Sequence, residues 1–154
     1  MKKLLKSKFL LTGLVIVMLS CQKMEYTKEF NWAYPLSGDW ALQLEFGGTV
    51  YEGPYFIKVY NTSFSQDSVW IDDNGNIWPF KVRAQVDMTS LSFSTTNFTS
   101  FPGTNAEDIV TITNGMIVGT DSIYFEAEFG SDAGIIYKMY GHRATKYDEY
   151  NLPH

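Results

Sequence analysis

Apolar residues recur at every second position in four separate stretches of this chain. That pattern calls for strands buried on one face and excludes amphipathic helices there. The clearest run sets Trp78, Phe80, Val82, Ala84 and Val86 on one side against Lys81, Arg83, Gln85 and Asp87 on the other. A second sets Trp40, Leu42, Leu44 and Phe46 against Gln43 and Glu45, and a third sets Ile123, Phe125, Ala127 and Phe129 against Tyr124, Glu126 and Glu128. The last sets Ile135, Tyr137, Met139, Gly141 and Arg143 against Ile136, Lys138, Tyr140 and His142. Residues 55–62, 67–72, 90–95 and 109–119 are shorter or less regular but β-rich, for a total of about eight or nine strands.

Turn chemistry separates the runs. Asn74-Gly75 reads as a hairpin turn, Asn114-Gly115 bends or breaks its strand pair, and residues 130–134 close another hairpin. Pro102-Gly103 interrupts residues 97–108, the longest stretch without clean periodicity. Sequential antiparallel strands suit a sandwich or a barrel, and short links between neighbours favour the meander. The expected fold is an all-β, antiparallel up-and-down β-barrel of about eight strands, just wide enough to hold side chains or one small ligand.

The N-terminus has a different character. Met1 to Lys8 is basic and Phe9 to Leu19 is an apolar run, too short for the roughly 20 residues of a membrane-spanning helix. The pairing reads as a signal peptide over residues 1–20. Cys21, the single cysteine, follows Met18-Leu19-Ser20, which resembles a relaxed lipobox of bacterial lipoproteins. Cys21 is therefore the expected lipidation site, residues 21–31 a tether, residues 32–147 the barrel domain and residues 148–154 a tail. Several acyl chains, at roughly 0.8 kcal/mol per buried CH₂, would hold such a protein to a membrane. The expected location is the bacterial cell envelope, as an outer-membrane lipoprotein facing the periplasm or the cell surface. A lone cysteine forms no intrachain disulfide, so the barrel must hold without one.

Charge and motifs narrow the function. The chain carries 12 basic and 17 acidic side chains; without Lys2, Lys3, Lys6 and Lys8 the balance is 8 against 17, a net of −9. No cluster of Lys and Arg offers a grip on phosphates, which argues against nucleic acid as a partner. No Gly-x-Ser-x-Gly elbow and no glycine-rich phosphate loop occur, and no cofactor is expected. Two histidines and one cysteine do not make a typical zinc site, and the Asp72-Asp73-Asn74-Gly75-Asn76 run lacks the spacing of a calcium loop. Glu126 and Glu128 read as solvent-facing charges, and His142 falls on the outer face, so no catalytic residue is assigned.

Gly38-Asp39-Trp40 resembles the Gly-x-Trp opening of lipocalins and their calycin relatives, and Arg143 on the closing strand resembles the cation that lies over that tryptophan. The resemblance implies that Gly38, Trp40 and Arg143 seal one barrel end. Thr120-Asp121-Ser122 matches the second lipocalin motif only in part, and the usual helix after the last strand is missing. With the leader, Leu36-Ser37 ahead of the opening, the aromatic strands and the Tyr140-Gly141-His142-Arg143 close, the chain is similar to a family of Gram-negative lipoproteins described as lipid-binding putative hydrolases. That family implies hydrolysis without supplying a residue to assign it to.

The expected function is binding of a small apolar ligand, a lipid or fatty acid, inside an anchored barrel. The cavity candidates are Leu42, Leu44, Tyr55, Ile57, Val59, Phe80, Val82, Phe125, Phe129, Tyr137 and Met139, with Tyr137 or Tyr55 offering a hydroxyl to a head group. The same list describes a filled core. A solid barrel that meets a protein partner through Tyr60, Tyr124, Tyr140, Tyr147 and Tyr150, and a lipid-ester hydrolase dependent on His142, stand as alternatives.

Overall fold

The computed structural model describes residues 30–76, 78–100 and 109–144, which fall in the unit Asn31–His154 apart from Phe30. The expected signal peptide, Cys21 and most of the tether, and the C-terminal tail, lie outside the described residues. Eight strands form one closed antiparallel barrel in sequence order: β1 Gly38–Phe46, β2 Thr49–Asn61, β3 Ser68–Asp72, β4 Lys81–Asp87, β5 Ser92–Thr99, β6 Ile109–Val118, β7 Ser122–Phe129 and β8 Tyr137–Arg143. Closure is made by β1 and β8, whose register pairs Trp40 with Arg143 and Leu44 with Met139. Among the described residues the one helical element is a single 3₁₀ turn, Gly130–Asp132.

The alternation sets the register. In β7, Ile123, Phe125, Ala127 and Phe129 are all buried while Tyr124, Glu126 and Glu128 are not. A slip of one residue would expose that entire set, so the buried face pins each strand to its neighbour. Because consecutive strands run in opposite directions, β1, β3, β5 and β7 lead to one rim and the even strands return from it. The described residues of the connections, 47–48, 73–76, 78–80, 100 and 130–136, therefore lie at one end of the barrel, and the segment 31–37 lies at the other.

Two expectations change in detail. Trp78 and Phe80 precede β4 rather than belonging to it. Asp73, fully buried, accepts backbone hydrogen bonds from Gly75 (2.8 Å), Trp78 (2.9 Å) and Phe80 (3.2 Å), so residues 73–80 curl around a carboxylate instead of pairing. Pro79, with no N–H to offer a ladder, sits inside that loop. The tip is the anticipated Asn74-Gly75 turn, with φ of 54° and 79° and an Asn76 N–H to Asp73 C=O bond of 3.1 Å. The strand holding Tyr55 begins earlier than expected, at Thr49. Its pairing with β1 shifts between Leu42 and Leu44, absorbing two extra residues around Gly53 and Pro54. Asn114-Gly115 bends β6 without ending it: the register with β7 shifts between Thr113 and Met116 and the strand continues to Val118.

Candidate functional site

The two ends of the barrel differ. At the end where β1 starts, the segment Asn31–Ser37 folds under the opening in tight turns, with Leu36 N–H and Ser37 N–H both bonded to Ala33 C=O (3.0 and 2.9 Å). Ala33 and Leu36 are fully buried against the core. Trp40, also fully buried, donates its indole N–H to Leu36 C=O at 3.0 Å. The Arg143 guanidinium lies over the Trp40 ring, 4.4 Å from its centroid, and donates to Pro35 C=O (3.0 Å) and to Ser37 C=O. Glycine is required at position 38 for two reasons. Its φ is +142°, and a Cβ there would come within 2.7 Å of Arg143 Nη1.

The opposite rim holds a recess of about 530 Å³, within the usual size range of small-molecule sites. Leu44 and Phe46 of β1, Tyr51 and Tyr55 of β2, and Tyr137 and Met139 of β8 form one side; Phe129 of β7 and Asn76 and Trp78 of the 73–80 loop form the other. Its aromatic rings pack on one another: Trp78 stacks on Phe129 (5.1 Å, 19° between planes), and Tyr137 contacts Phe46 (5.3 Å), Phe129 (5.8 Å) and Trp78 (6.0 Å). Phe80 lies beneath, 5.6 Å from Phe129. The loop wall is held in place from behind, since Asn76 Nδ2 donates to Phe56 C=O and Asp73 C=O, both at 2.7 Å. The Tyr137 hydroxyl donates to Asp132 Oδ2, and that bond, with burial second, pushes the phenol up to about 12. No hydrogen bond ties the Tyr51 or Tyr55 hydroxyl to another described residue.

The family model described as "Lipid-binding putative hydrolase" matches residues 25–148. The chain belongs to that family. No curated protein matches it.

A member of the lipid-binding putative hydrolase family invites a search for catalytic groups. Among the described residues no three His, Cys, Asp or Glu side chains gather to hold a metal ion. His142 is exposed on the outer wall, where its Nδ1 lies 3.2 Å from Arg143 C=O. It borders a second pocket of about 420 Å³ with Gln43, Pro54 and Tyr140, separate from the recess at the rim. Glu126 is engaged structurally: it accepts from Tyr124 (2.6 Å) and Asn114 (2.8 Å), which holds its carboxyl below the usual range. Glu128 accepts from Gly134 N–H at 2.8 Å.

Of the cavity candidates, Leu44, Tyr55, Phe129, Tyr137 and Met139 line the recess. Phe129 and Met139 do so while only 1% and 0% exposed; Leu42, Ile57, Val59, Phe80, Val82 and Phe125 do not line it and are buried in the core. The interior of an eight-stranded barrel is filled once aromatic side chains occupy it, which leaves room for a ligand only near a rim. Tyr137 does not present a free hydroxyl proton, because Asp132 takes it. Sequence reasoning missed Phe46, Tyr51, Asn76 and Trp78 as lining residues. Phe46 and Trp78 carried the signal already, lying on the same alternation faces as Leu44 and Phe80. Extending the Tyr55 face back through Gly53 reaches Tyr51.

Proposed function

We propose that this protein binds a lipid at the open rim of its barrel, with the acyl part against Trp78, Phe129, Leu44 and Met139 and the polar part toward the Tyr51 and Tyr55 hydroxyls. The family and the barrel support lipid binding. The observation that carries the location is the single-ended build: one rim holds a recess of about 530 Å³ walled by aromatic and aliphatic side chains, while Trp40, Leu36 and Arg143 fill the other. Burying apolar ligand surface there is favourable at roughly 25 cal/mol per Å² of area removed from water. A recess rather than a tunnel suits a short chain or one end of a longer lipid, because Phe80 and Phe125 fill the barrel below it.

Anchoring of the barrel to a membrane through acylated Cys21 is part of the same reading, supported by the basic and apolar start of the chain and by Ser20 ahead of the cysteine. The barrel would then act as a membrane-tethered lipid carrier or sensor in the bacterial envelope.

Native mass spectrometry of protein purified without detergent, followed by extraction into organic solvent, tests the binding. A stoichiometric lipid adduct that is lost in Trp78→Ala supports the rim site. A protein that stays unliganded after incubation with amphiphiles of different chain length overturns it.

A further inference from the structure

The electrostatics of the open rim discriminate among lipids. Nine described residues line the recess, and none of them is Lys, Arg or His. The described residues of the connections at that end, 47–48, 73–76, 78–80, 100 and 130–136, include no basic residue either. Two lysines start strands nearby, but both lie on the outer wall and are already engaged. Lys81 pairs with Asp72 at 3.6 Å and sits over the Tyr60 and Trp70 rings at 5.2 and 5.3 Å. Lys138 pairs with Glu45 at 2.9 Å.

Two of the neutral donors, Asn76 and Tyr137, are committed as well. Both hydrogen bonds from the Asn76 amide go to backbone carbonyls, and the Tyr137 proton goes to Asp132. Among the described residues that line the recess, a carboxylate or phosphate head would find no cation and, apart from the phenols of Tyr51 and Tyr55, little to donate to it. A positive head would find the reverse: the half-buried Asp132 carboxylate beside the rim, the lone pairs of a Tyr137 oxygen whose proton is turned away, and the rings of Phe46 and Tyr137, whose faces attract cations.

We propose that the recess selects amphiphiles with a positively charged nitrogen head, an amine or a quaternary ammonium, over anionic ones such as free fatty acids. This rests on the rim being the lipid site. It favours a different head group from the fatty acid named among the expectations from sequence, since an anionic head would meet no positive charge among the described residues lining the recess.

The test uses three probes with the same twelve-carbon chain, dodecyltrimethylammonium, dodecanol and dodecanoate, each titrated below its micelle concentration into the purified protein by calorimetry at neutral pH and low salt. The ammonium probe is expected to bind about tenfold tighter than dodecanoate, the size of one screened ion pair combined with a cation–π contact. Asp132→Asn, which keeps an acceptor for Tyr137, is expected to remove most of that preference and leave dodecanol unchanged; raised salt should narrow the gap as well. Dodecanoate binding as tightly as the ammonium probe, with all three lost in Trp78→Ala, overturns the head-group preference and leaves the rim site standing. Binding of all three that survives Trp78→Ala, or no binding of any, overturns the rim site and the preference with it.

Discussion

Arg143 and Trp40 meet twice: they are direct cross-strand partners where β8 closes on β1, and the Arg143 guanidinium lies 4.4 Å from the centre of the Trp40 ring. The same guanidinium donates to Pro35 and Ser37 carbonyls, so one side chain binds the first strand, the last strand and the turn that stoppers the barrel. Trp40→Ala removes a fully buried indole and should cost about 3–5 kcal/mol in chemical denaturation. Arg143→Ala strips two carbonyls of their charged donor and should cost about 2–4 kcal/mol. A midpoint unmoved by Trp40→Ala would contradict the end-seal role.

Gly38 should depend on Arg143. Gly38→Ala places a methyl group 2.7 Å from Arg143 Nη1 and strains a φ of +142°. In the Arg143→Ala background the steric part disappears and the backbone part stays. A double-mutant cycle should therefore give a penalty for Gly38→Ala that shrinks but does not vanish. Equal penalties in both backgrounds would mean that the side chains do not compete for that space.

Asp73 should set the shape of the rim from below. Asp73→Asn replaces one carboxylate oxygen by an NH₂ group that cannot accept, so either the Trp78 bond on Oδ2 or the Gly75 and Phe80 bonds on Oδ1 are lost, and the remaining acceptor is uncharged. A loss of about 2–3 kcal/mol is expected, since hydrogen bonds to a charged acceptor are the stronger kind. Trp78 fluorescence, read in a variant whose other tryptophans are replaced by Phe, should shift to longer wavelength as the 73–80 loop loosens. An unshifted spectrum would show that the loop holds without the carboxylate.

Tyr137 and Tyr124 should titrate late. Each phenol is pushed up to about 12, first by a hydrogen bond to a carboxylate, Asp132 for Tyr137 and Glu126 for Tyr124, and second by burial. In the unfolded chain they would ionise near the ordinary phenol value of 10.0. Between about 10 and 12 the native state therefore holds protons that the unfolded state has released. Their contribution to stability is complete below about 10 and is lost as pH rises through about 12. Phenolate absorbance should show Tyr137 and Tyr124 among the late-ionising tyrosines, with Tyr60 raised as well, chiefly by burial, and Tyr137→Phe should remove one of them. A folded protein whose tyrosines all ionise together near 10 would rule out both bonds.

If Cys21 carries acyl chains, Cys21→Ala should move the protein from the membrane fraction to the soluble one without changing its thermal unfolding. Membrane association that persists in Cys21→Ala would remove the lipidation reading.

The barrel was legible because its signal is repeated. Each strand that buries one face writes the same period-two pattern, and the short links between strands leave the meander as the simplest connection. The pairing of Trp40 with Arg143 followed from closure, since first and last strands of a barrel must be neighbours. The recess was harder to see. Periodicity tells which side chains point inward but not at what height, and Leu42 and Leu44 look alike in sequence although one is sealed and the other lines the rim. The role of Asp73 was hidden for a different reason: an Asp before Asn-Gly looks like an ordinary turn residue, and only the fold shows its carboxylate turned inward.

The barrel has no seam that can close early. Its first strand finds its second partner about a hundred residues later, at Trp40 and Arg143, and the stopper beneath the barrel needs that same arginine. A chain emerging from synthesis can form the hairpins between neighbouring strands one after another, but the sheet keeps two unpaired edges until β8 is available. Native contacts of such long sequence separation make for slow folding, because the chain must first be drawn into a large loop. The open edges of the incomplete sheet are the surfaces through which unfinished copies would stick to one another. Loss of the final strand would thus leave an adhesive sheet rather than a slightly smaller barrel.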